Sequence, residues 1–331
     1  EEDGEEQQEP PQPENHIYVL TEDVIRIESR NKGTHQRSAL PVLETIGHLG
    51  GLGMGERIQS VRFVGDKAFV VTFRQVDPLF TIDVSKPEAP VLVGELKVPG
   101  FSTYLHPVDD SKRLLSIGYG GDEDGTNWRT QISLFDVRDF ANPLLQDVQE
   151  LAMPNTWAWS EALWEHKAFQ YWAPKKLLAV PVASYQCGYV TVGKDTETDT
   201  GTDTGTDPES GAGSSDGAAG EETKESPDSS TDEAEPRGEE YRCTYDTRLQ
   251  LITVDMETGL DGYGTISHSH LYNRDSSRYW NWWEVRRSIF MGDYIYAIGE
   301  AGITVTKLEG LEPVTEQLLP GYSREDLYWW W

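Results

Sequence analysis

The sequence lacks the features of several common protein classes. No apolar run approaches the length needed to cross a bilayer, so a membrane-embedded chain is not expected. Basic residues are scarce: 28 Lys and Arg stand against 57 Asp and Glu, which gives a net charge of −29. Because phosphate binding depends on clustered Lys and Arg, nucleic acid is not an expected partner. No nucleophile elbow and no Ser/His/Asp order typical of hydrolases is recognisable.

Cysteine is nearly absent, and the two residues of this type flank one segment. Cys187 ends the strand-like run SYQC, and Cys243 lies near the start of the run YRCTYD. Their position on either side of an acidic stretch predicts a disulfide that closes the base of a loop. The alternative is a pair of unrelated buried thiols. A disulfide requires an oxidising compartment, so this interpretation also predicts secretion.

The acidic residues are concentrated in two regions. Residues 1–15 and 194–240 are rich in Asp, Glu, Thr, Ser, Gly and Pro, and they contain few aliphatic or aromatic side chains. Such segments cannot bury enough apolar surface to offset chain entropy. We therefore expect a disordered acidic tail and a disordered acidic insertion. The remainder has the composition of an aromatic-rich globular domain.

A repeat dominates the rest of the chain. The stretch RIQSVRFVGDKAFVVTFRQVDPLFTIDVSKPEAPVLVGELKV parses into four short strands separated by Gly, Asp and Pro turns. The following stretch repeats this order and also ends its third strand on an Asp. With the insertion set aside, third-strand ends recur about every 50 residues, at Glu28, Asp83, Asp136, Asp255 and Lys307.

Four strands per repeat at this period predict an all-β fold, the β-propeller. A β-sandwich would not explain the period. About four to five blades are visible, over residues 16–193 and 241–321, with an aromatic tail at 322–331. Because the first unit is incomplete, we expect the chain to be the C-terminal part of a larger propeller. Its expected partners are upstream blades of the same precursor or a second chain.

Several stretches also resemble a known family. GERIQSVRFVGDKAFVVTFRQVDPLFTIDVS, PGFSTYLHPV, ISLFDVRD, EALWEHKAF and RRSIFMGDYIYAI occur in the order found in secreted bacterial and archaeal proteins with a C-terminal β-propeller domain, distantly related to WD-repeat propellers. The resemblance covers about residues 15 to 321, except for the insertion. It implies an exported propeller with further blades upstream, and it implies no activity.

The innermost strand of each blade lines the propeller axis, so its polar residues are the first candidates for a site. Basic side chains there suit an anion or a carboxylate ligand. The alternative is that they pair with neighbouring acids such as Glu56, Glu161, Glu165 and Glu284. The candidate channel residues are Arg62, His106, His166 and Arg287.

Two further sets of residues suggest ligands. Asp122, Asp124 and Asn127 in GGDEDGTN resemble half of a calcium loop, although acidic hairpin loops are commonly just solvated. The sequence leaves the cofactor unknown, and calcium is the ion that this loop suggests. Trp280, Trp282 and Trp283 lie in a polar insertion, where exposed rings would suit sugar stacking or a protein interface. By contrast, Trp164 and Trp172 lie in strand-like runs and are predicted to be core residues.

Two functions from different classes remain open. The first is an extracellular binding or scaffold propeller that presents loops and Trp residues to a protein or glycan. The second is a propeller hydrolase or lyase with a cationic or metal-bearing central channel.

Overall fold

The structure is a computed structural model that describes residues 14–24, 41–73, 77–122, 126–152, 156–192, 238–271 and 284–320. These residues form β-strands and short 3-10 helices, and no α-helix occurs among them. The prediction of an all-β chain is confirmed. Within these ranges, no helix has the length and apolar character required to span a membrane.

The strands form five antiparallel sheets in chain order. Sheet 1 contains β1 (Asn15–Val24) and β2 (Pro41–Leu52). Sheet 2 contains β3 (Arg57–Val64), β4 (Lys67–Phe73), β5 (Asp77–Asp83) and β6 (Val91–Val98). Sheet 3 contains β7 (Phe101–Val108), β8 (Arg113–Gly120), β9 (Arg129–Asp136) and β10 (Leu144–Glu150).

Sheet 4 contains β11 (Trp157–Trp159), β12 (Gln170–Trp172), β13 (Leu177–Val192), β14 (Gly238–Asp255) and β15 (Gly259–Ser267). Sheet 5 contains β16 (Val285–Met291), β17 (Tyr294–Gly299), β18 (Gly302–Lys307) and β19 (Pro313–Leu318). The 3-10 helices are Glu161–Leu163, His166–Ala168, Ala173–Lys175, Ser269–Leu271 and Glu309–Leu311.

Sheet 4 departs from the simple four-stranded plan. Its first strand is divided into β11 and β12, which both pair with β13, through Trp157 opposite Tyr185 and Gln170 opposite Ala179. Two 3-10 helices occupy the interval between β11 and β12. The division therefore places a structured segment where the other sheets have a continuous first strand.

The sequence repeat has a structural cause at the third strands. Asp83, Asp136 and Asp255 end β5, β9 and β14, and each side chain accepts a hydrogen bond from the backbone N–H two residues later. This contact fixes the turn that leads into the fourth strand, which explains why Asp recurs there. Lys307 ends the third strand of sheet 5. Glu28, the remaining aligned position, lies outside the described residues.

The hydrophobic core follows the order of the sheets. Residues of β1 and β2 pack against sheet 2, sheet 2 packs against sheet 3, sheet 3 against sheet 4, and sheet 4 against sheet 5. Central strands β4 and β8 are almost continuously buried, because both faces of their sheets are covered. Among the described residues, no core cluster joins sheet 5 to sheet 1 or sheet 2.

The chain divides into two compact units, and the sheets above belong mainly to the first, Glu1–Gln186 with Thr244–Trp331. The second unit is Cys187–Cys243. It contains the predicted disulfide, which the structure forms between Cys187 and Cys243. The rings of Tyr189 and Tyr241 lie 5.1 Å apart in the same unit. Residues 193–237 lie outside the described residues.

We expect the acidic insertion to contribute little to stability. Replacing residues 194–240 with a short Gly/Ser linker, with both cysteines retained, should change the free energy of unfolding by no more than about 1 kcal/mol. The reason is that the retained disulfide closes this loop in the folded and the unfolded state alike, so the closure entropy, about 0.6 kcal/mol for each doubling of loop length, largely cancels. Thermal unfolding followed by circular dichroism measures the change. Loss of a cooperative transition in the variant would contradict the prediction.

Candidate functional site

The four candidate channel residues lie on the first strands or their equivalent. Arg62 belongs to β3, His106 to β7 and Arg287 to β16, while His166 begins the second 3-10 helix between β11 and β12. These elements contact one another in sequence: β3 contacts β7, β7 contacts the helix Glu161–Leu163, and the helix starting at His166 contacts β16. The first strands therefore place these polar side chains in one connected region.

Tyr104 and His106 form one part of this region. The Tyr104 hydroxyl lies 3.1 Å from His106 Nδ1, and the Tyr104 ring is 6.3 Å from the ring of His166. Burial lowers the pKa of His106, and the positive charge of Arg62 lowers it further. Burial also raises the pKa of Tyr104. At neutral pH the Tyr104 hydroxyl and the His106 ring are therefore both uncharged, and the nearby cation is Arg62.

The arginines of β16 form the other part, and they are paired with acids. Arg287 approaches Glu161 at 3.6 Å and Glu165 at 3.7 Å. Arg286 pairs with Glu161 at 2.5 Å and with Glu300 at 2.8 Å. Arg287 thus follows the alternative given for this region, in which basic side chains pair with neighbouring acids. These guanidinium groups are compensated rather than free to bind an anion.

The other two acids considered as partners have different contacts. Glu56 accepts a hydrogen bond from the Thr72 hydroxyl. Glu284 is 3% exposed and accepts a hydrogen bond of 2.8 Å from the Tyr245 hydroxyl. Burial raises the pKa of Glu284 to about 7, against an opposing effect of the Tyr245 hydrogen bond. This carboxyl group is therefore partly protonated near neutral pH.

The segment between β11 and β12, residues 160–169, is fixed by capping and by burial. Ser160 accepts from the Ala162 N–H and donates to the Pro181 carbonyl, while Glu165 accepts from the Lys167 N–H. Four side chains of the segment are buried in the core between sheets 3 and 4, namely Ala162, Leu163, Ala168 and Phe169. The backbone here is held by the scaffold rather than by solvent-exposed loop contacts alone.

Trp164 projects from this segment, and the prediction that it is a core residue is wrong. Its side chain is 73% exposed. The 3-10 turn directs Ala162 and Leu163 into the core, which leaves the next residue on the outside. Trp172 is partly buried against the core of sheets 4 and 5, with its ring 5.1 Å from Phe290. Ser160 and Glu165 in SEALWEHKAF cap two 3-10 helices. These capping residues are the sequence signal against a strand at Trp164.

The remaining candidates lie partly or wholly outside the described residues. In the predicted calcium loop, the Asn127 amide donates to Asp122 Oδ2 at 2.5 Å, and Asp124 is not described. Within the described ranges, no group of three His, Cys, Asp or Glu side chains is placed to hold a metal ion. Trp280, Trp282 and Trp283 are not described either. The calcium site and that Trp-rich surface stay predictions.

Comparisons with known proteins bear on the fold. A family described as a beta propeller domain matches residues 6–311. An uncharacterized protein of Methanocaldococcus jannaschii is 42% identical over 183 residues, which is 55% of this chain and 24% of that protein. A protein of Archaeoglobus fulgidus is 42% identical over 185 residues, with the same coverages. The matched part thus spans about a quarter of the length of these curated relatives.

Solved structures were also compared. The β-propeller domain of Cps50 (Swd1) from Myceliophteria thermophila has a TM-score of 0.36 at 9% identity, over 85% of this chain and 67% of that one. The WD40 domain of SCAP from fission yeast has a TM-score of 0.32 at 13% identity, over 83% of this chain and 48% of that one.

Proposed function

The chain belongs to the beta-propeller domain family, and on that premise we propose that it is an extracellular binding propeller that presents Trp164 and neighbouring polar groups to a protein or glycan partner. The propeller fold supports a scaffold or binding role. The partner, the location and the surface are the parts that we propose.

The exposure of Trp164 carries the proposal. A tryptophan at 73% exposure leaves a large apolar surface in water, although its neighbours Leu163 and Ala168 are buried. Because residues 160–169 are held by capping hydrogen bonds and core contacts, the ring is supported by a rigid backbone. A pre-positioned aromatic side chain loses little entropy on binding, which is why Trp is enriched at binding hot spots.

The surroundings of Trp164 supply polar contacts for a ligand. Glu165 and His166 follow it directly, and His166 Nδ1 lies 3.4 Å from Glu165 Oε1. Arg287 reaches Glu165 from β16. An apolar ring bordered by charged groups of both signs is the composition of a protein interface, with an apolar centre and a polar rim. It also suits a sugar, whose apolar face stacks on Trp while its hydroxyls bond to carboxylates.

The disulfide supports an extracellular location. Disulfides persist in oxidising compartments, and the bond between Cys187 and Cys243 joins strands β13 and β14. Fractionation of cells that produce the protein, followed by detection with an antibody, tests this part. Recovery of the protein only from the cytosol would contradict it.

Binding measurements on single variants test the role of Trp164. The purified chain is screened against immobilised oligosaccharides and against a panel of secreted proteins from the same cells. For any ligand found, Trp164→Ala should weaken binding at least about 30-fold, the effect of losing roughly 2 kcal/mol at a hot spot. Trp164→Phe should weaken it less.

Trp157→Ala is the matched control. Trp157 is also exposed, but it lies on β11, where its ring is 5.8 Å from that of Tyr185. This variant should leave affinity nearly unchanged. Equal affinity of the Trp164→Ala variant and the unmodified chain for every ligand found would overturn the proposal.

One observation favours the second function, a hydrolase or lyase. Glu284 combines burial with a pKa of about 7, which suits a group that transfers a proton at neutral pH. In that case Glu284→Gln should abolish turnover of a substrate while binding at Trp164 persists. A panel of chromogenic glycosides and esters measures the turnover. No turnover by the unmodified chain would contradict this function, and activity that survives in Glu284→Gln would exclude Glu284 as the group that transfers the proton.

A further inference from the structure

Two histidines lie next to each other on sheet 1. His16 belongs to β1 and His48 to β2, and His16 Nδ1 lies 2.9 Å from His48 Nε2. The ring planes are inclined by 24°, and the ring centroids are 5.1 Å apart. Among the histidines that the structure describes, no other pair has ring nitrogens at hydrogen-bonding distance from each other. Two imidazole nitrogens from different strands thus meet at one point of sheet 1.

The strand pairing brings the two rings together. Tyr18 pairs with His48 across the strands, and its ring lies 4.8 Å from that of His48. His16 precedes Tyr18 by two residues on the same strand and therefore points to the same side of the sheet. A register shift near the start of β1 places Gly50 and Gly51 opposite His16. The backbone therefore presents both imidazoles on one side of the sheet, with no side chain opposite His16.

Gly50 keeps the space beside these nitrogens open. A Cβ atom at position 50 would lie 2.8 Å from His16 Nδ1 and 3.4 Å from His48 Cε1. Any larger residue would therefore crowd both rings, and it would crowd His16 at the nitrogen that faces His48. Glycine at this position leaves room for an ion and its water ligands.

A carboxylate lies on the far side of His16. Glu14 Oε1 is 3.6 Å from His16 Nε2. Histidines that bind metals commonly direct their second ring N–H at a carboxylate, which fixes the ring and makes the ligand nitrogen more basic. With its proton on Nε2, next to Glu14, the His16 ring has a free lone pair on Nδ1, next to His48. The arrangement is that of a metal ligand with its orienting partner.

We propose that His16 Nδ1 and His48 Nε2 bind a divalent transition-metal ion, with Cu²⁺ as the best fit. Imidazole is a preferred ligand of such ions, and Cu²⁺ favours neighbouring ligands at right angles. At a metal–nitrogen distance of about 2.1 Å, two such ligands are about 3 Å apart, close to the 2.9 Å between the two nitrogens. Water completes the coordination, since within the described ranges no group of three His, Cys, Asp or Glu side chains can hold a metal. The proposal does not depend on binding at Trp164.

The bound ion links the two strands of sheet 1. In the described part of the chain this sheet consists of β1 and β2, and a two-stranded pair is only marginally stable by itself. Ile17 and Leu52 attach the sheet to the core of sheet 2 on one side. Because His16 and His48 belong to different strands, an ion that binds both adds a connection that backbone pairing alone does not supply.

Metal titration of the untagged chain tests the proposal. The chain contains 57 Asp and Glu, so calorimetry with Cu²⁺ is performed in an excess of Ca²⁺, which occupies carboxylates and does not compete for imidazole. Affinity should increase in the order Co²⁺, Ni²⁺, Cu²⁺. His16→Ala and His48→Ala should each weaken Cu²⁺ binding at least about 30-fold, since even the loss of an orienting partner costs roughly tenfold. Glu14→Gln should weaken it less.

His270→Ala is the matched control. His270 is also partly exposed and lies 2.5 Å from a carboxylate, that of Glu316, but its ring is 6.5 Å from that of His268. This variant should bind Cu²⁺ with unchanged affinity. His48→Gln guards against a folding defect, because it keeps a polar side chain at an exposed position. It should lose Cu²⁺ as His48→Ala does and keep the melting temperature of the unmodified chain in EDTA.

Two further measurements identify the ligands and the connection between the strands. Electron paramagnetic resonance of the Cu²⁺-loaded chain should show two imidazole nitrogens. Amide hydrogen exchange, followed by mass spectrometry, should slow at least about tenfold in peptides of β1 and β2 when Cu²⁺ is added, because the link suppresses local opening. Exchange in sheet 3 should stay the same.

Three outcomes would overturn the proposal. Undiminished Cu²⁺ affinity in His16→Ala or His48→Ala would place the ion elsewhere. A spectrum of the unmodified chain with a single imidazole nitrogen would show that the two histidines do not bind together. Exchange in β1 and β2 that does not respond to bound Cu²⁺ would refute the connection between the strands.

Discussion

Replacing Arg113 with methionine is expected to lower the free energy of unfolding by about 3 kcal/mol, the effect of breaking a buried charged network. Arg113 begins β8, and its side chain is only 2% exposed. Its guanidinium donates to Gln146 Oε1 at 2.8 Å, to Asp136 Oδ1 at 3.1 Å and to the Met256 carbonyl at 3.3 Å. These contacts tie three strands of sheet 3 to the turn between β14 and β15.

The loss arises from the groups that remain behind. In the variant, the Gln146 amide still donates to the Met256 carbonyl. Gln146 Oε1, however, loses the hydrogen bond that Arg113 donates to it. Asp136 retains Arg138, whose Nη2 lies 2.6 Å from Asp136 Oδ2, and it therefore keeps a depressed pKa. Methionine restores much of the packing volume. The expected cost is consequently that of the lost hydrogen bonds rather than that of a cavity.

Arg129→Met provides the matched control. Arg129 begins β9 in the same sheet and forms one ion pair, with Glu150 at 2.9 Å, in which both side chains are about half exposed. Exposed pairs of this kind contribute little, so the expected loss is below about 1 kcal/mol. Urea unfolding of both variants measures the difference. Equal losses in the two variants would show that Arg113 does not link the sheets.

The sequence repeat predicted the sheets well, because turn chemistry repeats with them. Asp83, Asp136 and Asp255 each close a third strand, and their role requires only the local backbone. Cations at the start of the second strands, Arg113 and Lys176, pair with two of these aspartates and form part of the same pattern. The alignment of third-strand ends did not use them.

The candidate site was less predictable for two physical reasons. Trp164 lies between the two parts of a divided first strand, and its outward position depends on capping by Ser160 and on which neighbours enter the core. The accessibility of sheet 5 cannot be identified from its apolar strands, because β17 alternates between buried and accessible residues while β4, which is also mostly apolar, is buried almost throughout. The sequence pattern predicts the strand, whereas the burial of its side chains depends on elements that are distant in the sequence.

Glu284 should make the protein less stable as the pH rises from about 4.5 to about 7. In the folded chain, burial raises the pKa of Glu284 to about 7, from an ordinary value of 4.5. The folded state therefore binds a proton in this range that the unfolded state has released. Stability from this group is fully present below the unfolded pKa and is lost as the pH rises through the folded pKa. At about 1.4 kcal/mol per unit of pKa difference, the change is on the order of 3 kcal/mol.

Glu284→Gln isolates this contribution. The amide has the shape of the protonated carboxyl group, and its oxygen can still accept from the Tyr245 hydroxyl. The variant should match the unmodified chain near pH 4 and exceed its stability near pH 8 by that amount. Urea unfolding at a series of pH values measures the free energy of unfolding of both chains. Carboxylates with a lowered pKa, such as Asp136, produce the opposite trend in both chains, so their contribution cancels when one curve is subtracted from the other.

Glu150→Gln serves as the control for Glu284→Gln, because Glu150 is about half exposed on β10. This variant measures the effect of the same substitution at a half-exposed position. A difference between Glu284→Gln and the unmodified chain that stays constant over this range would show that the folded and unfolded states ionise Glu284 alike. Such a result would also remove the observation that favours proton-transfer chemistry at this position, and it would leave the proposal of binding at Trp164 unaffected.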